Sequence, residues 1–174
     1  MKGRGAEIMA DLLECLLQIK ALRETPDRIA ALLQGAPAGA WAHRPAENVW
    51  APVEVLAHLA ELELVYGVRL RLMLTSVRPS LPRFDQDALA TRAHHIAWQP
   101  ALALERFRVR RNESLEVLDG CNAEELERTG VHPTRGEMTV ADMVALMLAH
   151  DTDHVGQIRQ RLGLTDSGAK LPHA

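Results

Sequence analysis

The sequence predicts an all-α protein, a four-helix bundle with a long crossover connection. Aromatic residues make up only 3% of the 174 residues, and Ala and Leu are abundant, as is typical of helical proteins. Four long segments place apolar residues at the 3.6-residue spacing of an amphipathic helix. The segment between the second and third of these, residues 78–99, is longer than an ordinary turn between bundle helices. Together these observations indicate a bundle with one crossover.

The first helix is predicted over residues 6–24. A second, shorter helical piece is predicted over residues 27–34, after a turn at Thr25 and Pro26, and Gly35 ends it. The apolar stripe of the first helix comprises Ile8, Met9, Leu12, Leu13, Leu16, Leu17, Ile19 and Leu22.

The second long helix is predicted from Pro52, which suits the first helical position, to about residue 76. Two polar residues, His58 and Arg69, fall on its inward stripe. An arginine on a core face reaches a carboxylate or a substrate anion, or it extends its guanidinium to the end of the bundle, and both alternatives stay open here. The apolar members of the stripe are Val55, Leu62, Val65 and Leu72.

The crossover contains a helical pattern over residues 85–98. Its adjacent His94 and His95 point about 100° apart on a helix, and we interpret both as surface or rim residues. Pro100 opens the third long helix, which is predicted to end near residue 118. Its Arg-rich middle, residues 106–113, is interpreted as a solvated basic face. The core candidates of this helix are Leu102, Leu104, Phe107, Leu115 and Leu118.

The last helix is predicted over residues 139–162. Thr139 is its N-cap candidate, with Asp142 three residues on in an arrangement like a capping box. Before it, Asn122 is the N-cap signal of a brief helix over residues 123–128, and residues 130–138 are predicted as a loop. The domain is predicted to span residues 1–164, followed by a disordered tail over residues 165–174.

Composition excludes several classes of function. The net charge is −3 without a concentrated basic run, which argues against nucleic-acid binding. No apolar run is long enough to span a membrane, and the acidic N-terminal segment does not resemble a signal peptide, so we expect a cytoplasmic protein. Cys15 and Cys121 form no metal-binding or redox motif, which predicts reduced, partly buried thiols, with a catalytic cysteine as the lesser alternative.

The last helix carries His150 and His154, four positions apart on a mostly apolar face. Residues at this spacing differ by about 40° around a helix, so both imidazoles can reach one point. A shared metal ion would satisfy both, but separately hydrogen-bonded or half-exposed histidines have the same spacing. In a four-helix bundle His58 can join the pair, which would give three ligands and open positions, the usual arrangement of a catalytic metal. The Glu-x-x-His pairs of di-iron bundles and the HExxH motif of zinc proteases are absent.

Three motifs, in order and with matching spacing, resemble the DinB/YfiT-like superfamily. They are the segment from Trp50 to His58, the segment from His132 through Gly136 to Asp142, and the segment from His150 through His154 to Ile158. Ala51 departs from the Ser or Thr usual after the tryptophan. The resemblance implies a four-helix bundle with a long crossover, and a divalent metal, usually nickel or zinc, held by His58, His150 and His154. Three imidazoles also suit copper or iron.

The resemblance further implies a metal-dependent transferase or isomerase that uses a low-molecular-weight thiol such as bacillithiol, mycothiol or glutathione. The metal would activate the thiol for attack on an electrophilic small molecule. The alternatives are a hydrolase that activates water, and a metal-binding stress or interaction protein without turnover, which a homodimer would suit. Glu54, Gln157 and Arg69 are the candidates to lie behind the metal ligands, the first two as groups that orient a ligand or a bound water. Asp151 and Asp153 point to other sides of the last helix, onto a solvated or salt-bridged face.

Overall fold

The structure is a computed structural model that describes residues 2–164. Side chains are described for all of these residues except 2–8 and 38. The predicted disordered tail, residues 165–174, lies outside the described residues. Four long helices form the bundle, which confirms the predicted fold class; they are α1 (Lys2–Gly35), α2 (Pro52–Thr75), α4 (Pro100–Asp119) and α6 (Val140–Arg161). Two short helices lie in the connections, α3 (Gln86–Arg92) and α5 (Ala123–Leu126). None of the described helices has the length and apolar character needed to cross a bilayer.

The helices pack so that α4 and α6 each lie between α1 and α2. The buried apolar residues form two clusters, one in each half of the bundle. The chain passes from the first cluster to the second along α1 and α6, and from the second to the first along α2 and α4. The neighbouring helices α2 and α4 are therefore parallel, and this is why the chain between them must return along the bundle as a crossover.

The predicted turn at Thr25 and Pro26 is wrong, because α1 continues through both residues. A proline inside a helix removes the hydrogen bond to the carbonyl four residues earlier, here the carbonyl of Leu22. Nη1 of the buried Arg111 donates to that oxygen at 3.0 Å. The partner that Pro26 cannot supply thus comes from α4, and the two predicted helical pieces form one helix.

The apolar stripe predicted for α1 is wider than its buried face. Ile19 and Leu22 are buried, as the helical spacing predicts, and Cys15, which is outside the predicted stripe, is buried beside them. Four other apolar residues of α1 are more than half exposed, namely Met9, Leu13, Leu16 and Leu17. In α4, Leu102 is likewise exposed rather than in the core.

A small β-hairpin replaces the loop predicted over residues 130–138. Strand β1 (Thr129–His132) pairs antiparallel with β2 (Gly136–Thr139), and the crossover joins them through the amide of Leu81, which donates to the carbonyl of Val131 at 2.9 Å. Gly136 has a φ of +79° at the turn, a conformation that glycine adopts without strain. Because β2 runs directly into α6, the hairpin fixes where that helix begins.

The termini of the helices follow their sequence signals. Thr139 caps α6, and its Oγ1 accepts from the amide of Asp142 at 3.0 Å, while its own amide donates to the Asp142 carboxylate at 2.8 Å. Asn122 caps α5 in the same reciprocal way. The helical pattern predicted over residues 85–98 is broken, because α3 ends at Arg92 and His94 has a φ of +49°.

Candidate metal centre

Three imidazoles converge between α2 and α6. The Nε2 atom of His150 lies 3.1 Å from Nε2 of His58 and 3.0 Å from Nε2 of His154. The potential ligand atoms of all three lie within 4.8 Å of one another, and no other such group of histidine, cysteine or carboxylate residues occurs among the described residues. The structure thus brings together the three residues that the family resemblance implies as ligands.

Each histidine owes its place to its helix. His150 and His154 are one turn apart on the inward face of α6 and are half-buried. His58 is 1% exposed and comes from the middle of an α2 segment, residues 51–60, that is buried throughout. The three rings lie between the two apolar clusters, where α2 and α6 both pass from one cluster to the other. Two aromatic rings flank them, with centroids 5.3 Å apart for Trp50 and His58 and 6.0 Å apart for Tyr66 and His150.

Gln157 fixes the orientation of His154. Its Oε1 lies 3.1 Å from Nδ1 of His154, and an amide oxygen can only accept a hydrogen bond. Nδ1 of His154 therefore carries the proton, and the lone pair of Nε2 faces the other two rings. Of the residues predicted to lie behind the ligands, Gln157 makes the contact expected of an orienting group.

The three imidazoles are held as neutral bases. Burial, together with the neighbouring His154, lowers the pKa of His58 from 6.5 to about 3 and that of His150 to about 2. Burial also lowers the pKa of His154, against the opposing effect of its hydrogen bond with Gln157. A metal ion binds the neutral form of imidazole, so at neutral pH all three rings are in the state that a metal requires.

The separations between the ring nitrogens fit a shared ion. Two ligands about 2.1 Å from one ion lie about 3.0 Å apart when their bonds are perpendicular and about 3.4 Å apart at the tetrahedral angle. The observed 3.0 and 3.1 Å match the perpendicular case. Three neutral nitrogen donors on one side of an ion leave positions for water or substrate on the other.

A buried ion network supports α6 beside the histidines. Arg111 pairs with Asp151 through Nη1–Oδ2 and Nη2–Oδ1 distances of 2.6 and 3.0 Å, and with Glu63 through Nη2–Oε2 at 2.7 Å. The interpretation of residues 106–113 as a solvated basic face is wrong at Arg111, which is fully buried. Although burial opposes it, the two carboxylates raise the pKa of Arg111. Asp151 is salt-bridged as expected, but in the core.

Glu54 is occupied elsewhere than at the metal centre. Its carboxylate accepts from the amide of Ala51 at 2.8 Å, which caps α2, and forms a two-point ion pair with Arg44 through Nε and Nη2. The largest influence on its pKa is burial, but the hydrogen bonds lower it overall. Glu54 therefore anchors the start of the helix that carries His58.

Arg69 does not extend to the end of the bundle. It is buried, and its Nη2 donates to the carbonyl of Pro82 at 2.8 Å, which ties the crossover to α2. The prediction that His95 is a surface or rim residue is wrong, because His95 is buried against the Trp98 ring. Its burial results from the turn at His94, whose own side chain stays exposed. Sequence periodicity gave no signal for this turn. The spacing of apolar residues continues through His94, whereas the turn depends on the backbone φ of +49° at that residue.

Two other described histidines, His43 and His132, are not members of the triad. His43 is exposed in the loop before α2. His132 is buried at the end of β1, and its Nδ1 accepts from the amide of Thr134 at 3.3 Å. Neither shares a ligand position with the three converging rings.

Comparisons with known proteins agree with this architecture. The sequence matches the family model of the DinB superfamily over residues 21–158. It is 29% identical over 124 residues to a protein of Oceanobacillus iheyensis named "Putative metal-dependent hydrolase OB0413", and the match covers 65% of each chain. The fold is similar to that of YfiT from Bacillus subtilis, with a TM-score of 0.76 and 19% identity over 87% of this chain and 89% of the other. YfiT is described as a probable metal-dependent hydrolase with an unusual four-helix bundle topology. A DinB-like protein, YjoA, of the same bacterium has a TM-score of 0.59 at 12% identity over 90% of this chain and 96% of the other.

Proposed function

The chain belongs to the DinB superfamily, and from that premise we propose that it is an enzyme dependent on a divalent metal, with His58, His150 and His154 as the ligands. The single observation that carries the proposal is the convergence of three neutral Nε2 atoms with separations of 3.0 and 3.1 Å. A divalent ion at this point would lower the pKa of a bound thiol or water and so supply a nucleophile at neutral pH. The proposed metal is nickel or zinc, both of which imidazole binds well.

The first candidate reaction is transfer of a low-molecular-weight thiol to an electrophilic small molecule. Two buried carboxylates close to the histidines are committed, Asp151 to Arg111 and Glu54 to Arg44, whereas Asp153, next to His154, is exposed on α6. Neither Asp151 nor Glu54 is therefore free to act as the base for a nucleophile at this centre. An unperturbed thiol has a pKa near 8.5, against about 15.7 for water, so a thiol needs much less help to ionise.

The second candidate reaction is hydrolysis by activated water. It is supported by the relatives, because the Oceanobacillus protein is described as a "putative" and YfiT as a "probable" metal-dependent hydrolase. The chain covers 65% of the Oceanobacillus protein, and the activity is proposed here on that likeness alone. A bundle that holds metal without turnover is the third outcome that an experiment must separate from these two.

The test is a matched pair of assays on protein loaded with nickel or with zinc. In the first, 1-chloro-2,4-dinitrobenzene is combined with bacillithiol, mycothiol or glutathione, so that a carbon–sulfur bond forms as chloride leaves. In the second, p-nitrophenyl acetate is supplied without thiol. Thiol-dependent turnover that is lost in His58→Ala supports the transferase, and ester cleavage that is lost in the same variant supports the hydrolase. Metal-loaded protein inactive in both assays across a broader panel of electrophiles and esters would contradict an enzymatic function.

A further inference from the structure

Arg161, the last residue of α6, carries a positive charge that no acidic group of the described residues neutralises by an ion pair. Its Nη1 atom is buried and has no hydrogen-bond partner. Leaving a buried charged donor unpaired is costly, and such groups normally meet a counter-ion. Nη1 of Arg161 therefore does not donate to a carbonyl at the end of its own helix, the usual role of an arginine in a last turn.

The guanidinium of Arg161 lies on the side of α6 that carries the candidate metal ligands. His154, Gln157 and Arg161 follow one another at intervals of three and four residues, so they share one helix face. Side chains of a helix lean toward its N-terminus, which directs Arg161 back toward His154. The electrostatics agree with this placement. Burial is the largest cause of the lowered pKa of His154, and the charge of Arg161 lowers it further.

The acidic residue that acts on Arg161 cannot serve as its partner. Glu54 opposes the effect of burial on the pKa of Arg161, so the two lie within electrostatic reach. Both carboxylate oxygens of Glu54 are already engaged, by Arg44 and by the amide of Ala51. The pair of Arg44 and Glu54 is neutral as a unit, and Arg161 remains as an uncompensated cation within electrostatic reach of His154.

We propose that Arg161 is an anion-binding residue of the site, which takes the carboxylate of a small molecule whose other end binds the metal held by His58, His150 and His154. This inference rests on the proposed function, because it requires a metal at that point. A planar guanidinium suits a carboxylate, and a neutral histidine triad supplies no competing negative charge. The substrate class is therefore a small carboxylate that bears a metal-binding group, and Arg161 sets this specificity without touching the reacting atoms.

The experiment measures binding by absorption spectroscopy of cobalt-loaded protein, titrated with two thiols of similar length. One probe is 3-mercaptopropionate, which ends in a carboxylate, and the other is 2-mercaptoethanol, which ends in a hydroxyl. Wild-type protein should bind the carboxylate probe roughly tenfold more tightly, as expected for one charge-assisted hydrogen bond. Arg161→Gln should reduce that ratio to about one, and Arg161→Lys, which keeps the charge, should retain part of it.

The control variant is Arg28→Gln, which removes the same charge from an exposed position on α1 and should keep the wild-type ratio. Circular dichroism establishes that each variant folds. Equal affinity for the two probes in cobalt-loaded wild-type protein, or an unchanged ratio in folded Arg161→Gln, would overturn the role of Arg161 while the metal centre stands. Failure of wild-type protein to hold cobalt would overturn both this inference and the proposed function.

Discussion

Arg111 and Asp151 form a two-point ion pair in the centre of the bundle, next to the metal-ligand candidate His150. Arg111 also reaches Glu63 on α2 and the carbonyl of Leu22 on α1. One side chain of α4 thus contacts each of the other three long helices. The position of α6, and with it that of two of the three histidines, depends on this contact.

Arg111→Met should destabilise the protein by about 3–5 kcal/mol, because it leaves two buried carboxylates without their partner. The free energy of unfolding in urea measures the loss. The matched control is Arg108→Met, which breaks an ion pair with Asp27 whose two side chains are 44% and 82% exposed. That change should cost no more than about 1 kcal/mol. Equal losses in the two variants would show that the buried network does not hold the helices together.

Gln157→Ala should weaken metal binding roughly 10- to 100-fold, the usual effect of removing the group that orients a histidine ligand. Without the acceptor Oε1, nothing in the described contacts keeps the proton on Nδ1 of His154. Gln157→Glu keeps an acceptor and should retain more affinity, while Gln160→Ala, at an exposed position of α6, should leave it unchanged. Competition with a chromophoric chelator measures all four proteins. Wild-type affinity in Gln157→Ala would contradict this role.

The metal-free protein should lose stability as the pH falls below about 6.5, the ordinary pKa of histidine. In the folded state the pKa of His58 is about 3 and that of His150 about 2, so unfolded chains take up protons first. The stability that these two residues contribute is complete above pH 6.5 and is lost as the pH falls toward about 3.

Urea unfolding of chelator-treated protein at several pH values tests this dependence. Each histidine accounts for at most about 1.4 kcal/mol per pH unit. His58→Gln should therefore have a shallower dependence than wild type, whereas His43→Gln, at an exposed position, should not differ from it. A dependence that is the same in His58→Gln and wild type would mean that His58 takes up its proton equally in both states.

Pro26→Ala should change the free energy of unfolding by less than about 1 kcal/mol. An interior proline ordinarily costs about 3 kcal/mol, but here the carbonyl of Leu22 already accepts from Arg111. In the Arg111→Met variant, Pro26→Ala should raise the free energy of unfolding by more than it does in the wild type. The amide that the substitution introduces would then be the hydrogen-bond partner that the Leu22 carbonyl has lost. A gain near 3 kcal/mol in the otherwise wild-type protein would show that α1 is strained at Pro26.

Much of the fold follows from signals that act within one helix. Helical spacing and the caps at Pro52, Pro100 and Thr139 predict the long helices α2, α4 and α6 closely. The predicted break in α1 at Pro26 does not occur, because Arg111, 85 positions away in the sequence, donates the hydrogen bond that Pro26 cannot donate. The spacing of residues within one helix does not predict a hydrogen bond to another helix. For the same reason it does not predict the ion pairs of Arg111 with Glu63 and Asp151.

The candidate site divides in the same way. The spacing of His150 and His154 and the inward position of His58 allow the three rings to meet, because each depends only on the face of its own helix. The resemblance to the DinB/YfiT-like superfamily is what implies that these three residues are the ligands. The roles of Glu54 and Arg69 depend on loop residues, Arg44 and Pro82, whose positions no periodicity describes. The hairpin before α6 is missed for a related reason, because two four-residue strands are too short to show an alternating pattern.

Metal content of purified protein tests the central claim most directly. Elemental analysis should find about one divalent ion per chain in wild type and in His94→Ala, a control at an exposed histidine. His58→Ala and His154→Ala should lose most of the metal, because two imidazoles hold an ion far less well than three. Metal content near one ion per chain in all four proteins would contradict the assignment and show that the ion is held elsewhere.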